Sequence, residues 1–368
     1  MSPPVPASPL RVGIDGRAFT SPAAGIRRYA EGLTTALAAQ TDVAVTVIGG
    51  RPQSLPAGVA HQPEAWHPPG NPGWVLVGLP RSARRARVDV LHALAYTAPF
   101  RAAMPVVLTV HDVSYARHPE WYPHERDHIR RFYYRLSAQR AATIITPSQF
   151  SASEIQAAYG ITADRIAVVP MGVEKAFGVS GAIAAVSLPD SVREPFALHV
   201  GDVHARRNPD VVLRALGALE RRGGPAIPLV LAGVDHGEMA ALSSLAPGRV
   251  VALGPVSEAV LQTLYRRAVV LVYPSRYEGF GFPLIEAMAA GLPVVASRAA
   301  SLPEVAGDAA LLVEPEDADA WAGALSRLLT EPGLRDGMVR RGLARAEQFT
   351  WARTARLTMD VYRKLARR

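Results

Sequence analysis

The stretch that decides the fold is YPSRYEGFGFPLIEAMAAGLPVVAS, residues 273–297, which holds two carboxylates eight positions apart around a glycine-flanked turn. The mostly β-branched run at 269–273 leading into it is typical of a strand buried on both faces. The Gly-Phe-Gly turn at 279–281 permits unusual backbone dihedrals, and Pro283 suits the first helical position. Gly291 is placed to end that helix before a second strand. The pattern predicts strand, glycine turn, helix, strand.

The two carboxylates flank the expected start of this helix. In such a unit, backbone N–H groups and the positive helix end point into the crevice at the strand ends, where a phosphate binds. Glu278 precedes the turn, and Glu286 is expected in the first helical turn, where it could accept hydrogen bonds from sugar or ribose hydroxyls. Alternatively, Glu286 only complements the helix dipole and Glu278 is solvated.

Length and composition indicate a fully folded protein of two domains. The chain has 368 residues, of which 49% are hydrophobic. This length exceeds the size at which a single hydrophobic core stops growing, so two domains are expected. The absence of cysteine excludes disulfides, thiolate nucleophiles and cysteine-ligated zinc. No apolar run reaches the length of a membrane span, and the first nine residues do not resemble a signal peptide. We therefore expect a cytoplasmic protein.

The net charge of +8 is concentrated in the first half of the chain. Residues 1–183 hold 18 basic and 12 acidic side chains. Such a surface fits nucleic acid, an anionic membrane or phosphorylated substrates, although the dominance of arginine over lysine could be compositional bias. A helix predicted at 125–142 mixes arginines with an apolar stripe of Phe132, Leu136 and either Tyr133 or Ile129. It is either a solvated surface helix or a peripheral membrane-docking helix.

The first half alternates predicted strands and helices, which is typical of a parallel, doubly wound sheet. The strands are predicted at 11–15, 43–48, 89–92, 105–110 and 143–146. His111 and Asp112 follow one of them, at the carboxyl end where open α/β sheets place ligands. By itself, His111 could be either a hydrogen-bonded structural residue or a catalytic one.

The second half restarts the strand pattern after an expected linker at 178–194. Asn208 is predicted to cap a helix that starts at Pro209. Arg206 and Arg207 precede it, and guanidinium groups match phosphate oxygens, although they could also be plain surface charges. Residues 317–319, Asp-Ala-Asp, fit a metal-binding D-x-D pattern, but acidic residues are also expected at a helix start.

Taken together, these motifs resemble the retaining, nucleotide-sugar-dependent glycosyltransferases of family 4, in particular its mannosyltransferase-like group. The pattern EGFG-x-P-x-x-EAMA-x-G-x-PVV resembles the E-x7-E signature of the family, and VLTVHDVSYARHPEWYP looks like its VHD segment. The run before Asn208 resembles its G-x-x-x-x-RKN motif, with arginine replacing lysine. The resemblance implies the α/β fold called GT-B, with two Rossmann-like doubly wound domains facing a cleft. These domains are expected at 1–180 and 190–348, and helix 349–368 is expected to cross back to the first.

The resemblance also implies roles for individual residues. The catalytic residues are expected to be Arg206, Arg207, Glu278 and His111. Donor binding is expected from Glu286, Gly279, Phe280, Gly281, Gly25, Gly254 and Val256. The arginines and backbone dipoles would stabilise the departing diphosphate, Glu286 would hold the ribose, and Glu278 and His111 would orient the sugar. No metal or other cofactor is expected.

One position departs from the family pattern. The first glycine loop reads GIRRY where the family often reads GIGRY, so Arg27 replaces a glycine. Arg27 and Asp112 are therefore left as uncertain contacts to the acceptor or to a phosphate.

The predicted activity is transfer of a hexose, with retention, from GDP-mannose or a UDP-sugar to a hydroxyl group. The acceptor would be a carbohydrate, a lipid-linked or a small molecule, in glycan, polysaccharide or glycolipid assembly, and no nucleic acid partner is expected. Two alternatives remain open. One is a nucleotide-sugar epimerase on the same fold, and the other is a non-catalytic module that binds nucleotide sugars or polyanions.

Overall fold

The computed structural model describes residues 8–64, 70–122, 127–179 and 186–367, and it divides into two compact units. Unit 1 consists of Met1–Gly172 together with Trp351–Arg368, and unit 2 is Val173–Thr350. Unit 1 is therefore discontinuous in sequence. The domain boundary predicted at residue 180 lies outside the described residues.

The described strands form one parallel sheet in each unit. In unit 1 the strands are β1 (Leu10–Asp15), β2 (Val43–Ile48), β3 (Ala60–Gln62), β4 (Val90–Ala93), β5 (Val106–Thr109), β6 (Thr143–Thr146) and β7 (Ile166–Val168). In unit 2 they are β8 (Ala197–Val200), β9 (Leu229–Ala232), β10 (Val250–Gly254), β11 (Val270–Tyr273), β12 (Val294–Ser297) and β13 (Ala310–Val313).

The two sheets share one order over six strands, and unit 1 adds a seventh at its edge. Unit 1 runs β3-β2-β1-β4-β5-β6-β7 and unit 2 runs β10-β9-β8-β11-β12-β13, with every paired neighbour parallel. The order reverses between β1 and β4 and again between β8 and β11. This confirms the predicted doubly wound sheets and puts a ligand crevice at the carboxyl ends of those strand pairs.

Helices connect the strands and cover both sheets. They are α1 (Ala24–Ala38), α2 (Gly70–Gly73), α3 (Leu79–Arg85), α4 (Ser114–Arg117), α5 (His128–Arg140), α6 (Gln149–Tyr159), α7 (Pro209–Arg221), α8 (Met239–Leu245), α9 (Glu258–Arg267), α10 (Phe282–Ala289), α11 (Leu302–Ala306), α12 (Ala318–Thr330), α13 (Pro332–Ala346) and α14 (Trp351–Ala366). A π-helical turn, Trp74–Gly78, joins α2 to α3. None of the described helices is both long and apolar enough to cross a membrane.

The inner strands of both sheets are buried because they are apolar at nearly every position. All four residues of β5, β9, β11 and β12 are buried. In unit 2, α7 packs one apolar face into the core beside Trp321 of α12. Such buried strands cannot form the ligand site themselves, so the loops at their carboxyl ends must supply it.

The apolar side chains predicted as a stripe on α5 are divided between the core and solvent. Ile129 and Phe132 are 83% and 65% exposed, and the buried residues are Ser137 and Ala138. Tyr133 packs against the unit 1 core together with Ala138, whereas Ile129 and Phe132 present their apolar side chains to solvent. The helix begins at His128, and the predicted start at residue 125 lies outside the described residues.

Candidate functional site

The strand-order reversal of unit 2 carries a compact cluster of charged and phenolic side chains. Arg207 donates through Nη1 to Oε1 of Glu278 and to the hydroxyl of Tyr273. Tyr273 in turn donates to the same Glu278 oxygen over 3.1 Å. The side chains of Arg207 and Glu278 are only 15% and 8% exposed. Two residues that were predicted separately therefore meet in one largely desolvated ion pair.

Burial determines the protonation of this cluster. Burial raises the pKa of Tyr273 above its usual value, so its hydroxyl stays protonated and can donate. Burial opposes the charge on Arg207, but Glu278 and Tyr273 outweigh it and raise the pKa of the guanidinium. The cluster thus holds a fixed cation, Arg207, beside a carboxylate, Glu278. A guanidinium can bind an anionic group, and a carboxylate can accept hydrogen bonds from the hydroxyl groups next to it.

The loop after β8 presents the two arginines. Asn208 is the N-cap of α7, as predicted, but its φ of 55° turns its side chain away, and Nδ2 donates to Pro315 O over 2.7 Å. The backbone N–H of Arg206 donates to Nδ1 of His204, and the carbonyl of Arg206 accepts from the N–H of Arg276. Burial, together with the neighbouring arginines, lowers the pKa of His204 to about 3, so it remains a neutral acceptor.

Arg276 is a positioning residue that the sequence did not reveal. Its guanidinium donates to the carbonyl of Ala205 and also binds Glu316 through two nitrogens, at 2.6 and 3.1 Å. It therefore clamps the turn that carries Arg206. Glu316 lies 40 residues away, and no local pattern could have linked the two.

The glycine turn between Gly279 and Gly281 is built as predicted. Gly281 is the N-cap of α10 at a φ of 97°, and an added Cβ would lie 2.9 Å from Leu302. The hydroxyl of Ser301 donates to the carbonyls of Glu278 and Phe280 and fixes the turn. The Phe280 ring is buried against other aromatic rings, so only its backbone could face a ligand.

The predicted position of Glu286 in the first turn of its helix is wrong. The helix begins at Phe282, one residue before the predicted start, so Glu286 is its fifth residue. Its side chain is buried, and Oε2 accepts a hydrogen bond of 2.8 Å from the hydroxyl of Tyr265. Glu286 is thus anchored to α9, whereas Glu278 pairs with Arg207.

Gly254 and Val256 lie at the carboxyl end of β10, the outer strand of the same sheet. Gly254 has a φ of 66°, and its carbonyl accepts from the N–H of Gly233 over 2.9 Å. Gly233 follows β9, and a Cβ on it would meet the carbonyl of Gly201 at 2.0 Å. The loops after β8, β9 and β10 are therefore in direct contact along one edge.

In unit 1, His111 lies just beyond β5, at the carboxyl edge of the sheet. Its Nε2 is 3.0 Å from the carbonyl of Leu94, which can only accept, so Nε2 carries the proton. Burial lowers the pKa of His111 to about 4. The ring is therefore neutral at physiological pH and offers Nδ1 as an acceptor for a hydroxyl group.

Two tyrosines flank the His111 ring. Tyr29 meets it edge-on with ring centroids 5.0 Å apart, and Tyr96 lies at 5.9 Å. Tyr96 has a φ of 53°, a backbone conformation that residues other than glycine and asparagine rarely adopt. Its ring stacks on Tyr134. Such strain persists only where surrounding contacts enforce it, and it concentrates at functional sites.

Gly25, Arg27 and Asp112 are the other unit 1 residues singled out by the sequence, and the two charged side chains have local partners. Gly25 is the second residue of α1 and is exposed. Arg27 bends back to donate to the carbonyls of Ser21 and Pro22, which occupies its guanidinium within its own loop. Asp112 accepts from the N–H and the hydroxyl of Ser114 at 2.9 and 2.6 Å.

A buried ion pair at the end of β1 was not predicted. Asp15 accepts from Nε of Arg17 over 2.9 Å, and Arg17 also donates to Asn71 and to Thr97. The pair lies where the strand order of unit 1 reverses, and it holds the loop that carries Tyr96. The only sequence signal was two charges at the end of an apolar strand.

The D-x-D residues have structural partners. Asp317 is the N-cap of α12 and accepts from the N–H of Ala320, and Asp319 pairs with Arg222 on the surface. Within the described ranges, no three His, Asp or Glu side chains are grouped closely enough to hold a metal ion.

Comparison with known proteins identifies the class to which this fold and site belong. The model "Glycosyltransferase Family 4" matches residues 23–177, and the model "Glycosyl transferases group 1" matches residues 194–331. An O-antigen chain mannosyltransferase B of Escherichia coli is 33% identical over 284 residues, covering 75% of this chain and 74% of the relative.

Solved structures agree on the architecture. A sucrose-phosphate synthase from Thermosynechococcus elongatus matches 97% of this chain and 99% of its own, with a TM-score of 0.75 and 20% identity. HepE of Anabaena, solved with UDP-glucose, matches 96% and 99%, with a TM-score of 0.71 and 18% identity. The fold is GT-B, the architecture of nucleotide-sugar glycosyltransferases. The chain belongs to the family 4 glycosyltransferases, as the sequence motifs predicted.

Proposed function

We propose that this chain is a retaining, metal-independent hexosyltransferase that uses a nucleoside diphosphate sugar. The observation that carries the proposal is the Arg207, Tyr273 and Glu278 cluster at the strand-order reversal of unit 2. It combines a buried guanidinium for a diphosphate with a carboxylate for sugar hydroxyls. GDP-mannose is the preferred candidate donor, since the E. coli relative is named a mannosyltransferase, and a UDP-hexose is the second.

In this mechanism the protein itself stabilises the negative charge that develops on the leaving diphosphate. As the bond between the anomeric carbon and the diphosphate breaks, Arg206, Arg207 and the backbone N–H groups near Gly281 stabilise the negative charge on the leaving group. The acceptor hydroxyl attacks on the face that the diphosphate leaves, and its proton passes to a departing phosphate oxygen. The configuration of the anomeric carbon is thereby retained. Fixed cations take the place of a metal ion.

Glu278 in unit 2 and His111 in unit 1 are each suited to a sugar hydroxyl rather than to the leaving group. Glu278 accepts hydrogen bonds from sugar hydroxyls once the diphosphate competes for Arg207. His111 is neutral, so its Nδ1 can accept from a hydroxyl without adding charge. In unit 1, Asp15, Arg17 and Tyr96 border the carboxyl end of the sheet, where a hydroxyl acceptor would bind.

A lipid-linked acceptor at a membrane surface is the acceptor class that the surface of unit 1 favours. In α5, Ile129 and Phe132 are exposed one turn apart, with Arg130, Arg131 and Arg135 between and beside them. Exposed apolar side chains among arginines match the boundary of an anionic bilayer. The contact would be peripheral.

The proposed function is tested with a panel of GDP-mannose, UDP-glucose and dTDP-glucose, with and without hydroxyl acceptors. Release of nucleoside diphosphate should require an acceptor for full rate, and NMR of the product should show the anomeric configuration of the donor. The matched control is Glu278→Gln, which keeps the side-chain size but removes the charge. Inversion at the anomeric carbon would refute retention. Conversion of the donor sugar without any acceptor would favour an epimerase.

A further inference from the structure

Four buried side chains form a continuous hydrogen-bonded chain in unit 1. The hydroxyl of Tyr362, on α14, is 2.6 Å from Nδ1 of His92. Nε2 of His92 is 2.8 Å from Oγ1 of Thr109, which is 3.1 Å from the hydroxyl of Tyr29. All four are at most 1% exposed. The chain therefore runs from the last helix, through β4 and β5, to α1.

His92 is neutral within this chain, because burial lowers its pKa to about 3. One ring nitrogen must then donate and the other accept. Loss of either neighbouring hydroxyl would leave a buried nitrogen without its partner, which is costly in a desolvated site.

Trp351, the first residue of α14, also packs against Tyr29. The Trp351 and Tyr29 rings lie 6.2 Å apart. Trp351 packs so closely on α1 that a Cβ at Gly32 would lie 2.2 Å from the indole. Tyr29 is thus fixed by Trp351 directly and by Tyr362 through the hydrogen-bonded chain.

Tyr29 in turn contacts His111. Its ring meets His111 edge-on at 5.0 Å, and on other sides His111 is held by Leu94 O and Tyr96. The direction in which Nδ1 of His111 points therefore depends on the placement of Tyr29.

We propose that Tyr29, Thr109, His92 and Tyr362 are positioning residues through which α14 sets the ring orientation of His111. The role in transfer rests on the proposed function, in which His111 contacts the sugar. The role in orienting His111 does not. Helix α14 is then part of the machinery that orients a substrate, in addition to covering the core of unit 1.

The test compares two substitutions on the same helix. Tyr362→Phe removes only the hydroxyl that binds His92. Thr358→Val is the matched control, since it removes a buried hydroxyl that has no hydrogen-bond partner among the described residues. Melting temperature, kcat and KM for the donor are measured for both, together with the ring nitrogen resonances of His111 in 15N-histidine-labelled protein without substrate. His111→Gln assigns those resonances.

We expect Tyr362→Phe to lower kcat by roughly tenfold while KM for the donor changes little, since misplacing a contact to the reacting sugar slows the chemical step. The His111 resonances should shift in Tyr362→Phe and not in Thr358→Val. Tyr29→Phe is the second variant, because it keeps the ring contact and breaks the other end of the chain. It should reproduce the shift if Tyr362→Phe fails to fold.

Unchanged His111 resonances in Tyr362→Phe and Tyr29→Phe would overturn the inference. Equal losses of kcat in Tyr362→Phe and Thr358→Val would do the same, because they would indicate a general packing effect. Full activity of His111→Gln, with the resonance shift intact in Tyr362→Phe, would instead contradict the role of His111 in the proposed function and support the positioning link.

Discussion

Tyr265 donates a hydrogen bond of 2.8 Å to Oε2 of Glu286, and both side chains are buried. The second carboxylate of the E-x7-E pair is therefore held by α9, whereas the first, Glu278, is held by Arg207. The two carboxylates of one motif thus have different partners, so substituting each of them should have a different effect on ligand binding.

Glu286→Gln should weaken binding of a nucleoside diphosphate, and Glu278→Gln should not. The sequence predicted that Glu286 binds the ribose. An interaction with a charged acceptor contributes about 1.5 to 3 kcal/mol, and in that role Glu286→Gln would forfeit it. Removing the charge of Glu278 leaves Arg207 freer to bind the diphosphate. Calorimetric titration of GDP and UDP measures both. A larger loss for Glu278→Gln would exchange the two assigned roles.

Arg206→Ala should lower turnover by roughly 10² to 10³, the scale for removing one charge-stabilising donor, with little change in stability. Arg207→Ala should lower turnover and also destabilise unit 2 by about 3 to 5 kcal/mol, because it leaves Glu278 buried without its cation. Steady-state kinetics and urea unfolding separate the two effects. Arg222→Ala, which breaks a surface pair, is the control. Arg206→Ala retaining activity within about threefold of wild type would refute the assignment.

Excess EDTA should leave transfer unchanged, because arginines and backbone dipoles stabilise the leaving group in the proposed mechanism. Asp317→Ala should keep its activity yet lose about 0.5 to 2 kcal/mol of stability, since it removes the N-cap of α12. Activity assays with EDTA and thermal melting of the variant measure these. Loss of activity in EDTA, with recovery on adding Mn²⁺ or Mg²⁺, would establish a metal requirement.

Stability should fall as the pH drops below about 6.5. Burial lowers the pKa of His92 to about 3 and that of His199 to about 4, whereas each titrates near 6.5 when unfolded. Between these values the unfolded chain binds more protons, so the free energy of unfolding rises with pH, by up to about 1.4 kcal/mol per pH unit for each group.

Urea unfolding of wild type and His199→Asn between about pH 7.5 and about pH 5 measures this dependence. The variant should show a flatter slope for unit 2. An identical slope would mean that His199 does not titrate on unfolding as expected.

The exposed face of α5 should bind anionic vesicles. Ile129→Ser with Phe132→Ser should reduce flotation with phosphatidylglycerol liposomes, and Arg130→Ala with Arg135→Ala should reduce it in a salt-dependent way. Neutral phosphatidylcholine liposomes are the control. Failure of the wild type to bind at low salt would favour a soluble acceptor.

Local signals predicted the elements around the site well. Asn208 and Pro209 start α7, and Gly291, at a φ of 71°, follows α10. Each of these depends on the backbone preferences of one or two residues, which the sequence displays directly.

Partners that are distant in sequence could not be predicted. Tyr265 reaches Glu286 from a separate helix, and His92 meets Tyr362 across 270 residues. The exposure of Phe132 could not be predicted for a related reason, since helical periodicity shows that an apolar side exists but not how much of it the sheet covers.

The discontinuity of unit 1 imposes an order on its assembly. A ribosome makes β4 and β5 long before α14, because all of unit 2 is translated between them. Until α14 emerges, His92 lacks the Tyr362 hydroxyl and Tyr29 lacks the Trp351 ring. The surroundings of His111 are therefore completed only after all of unit 2 has been synthesised, so that a nascent chain can pair Arg207 with Glu278 before it can fix Tyr29 against His111.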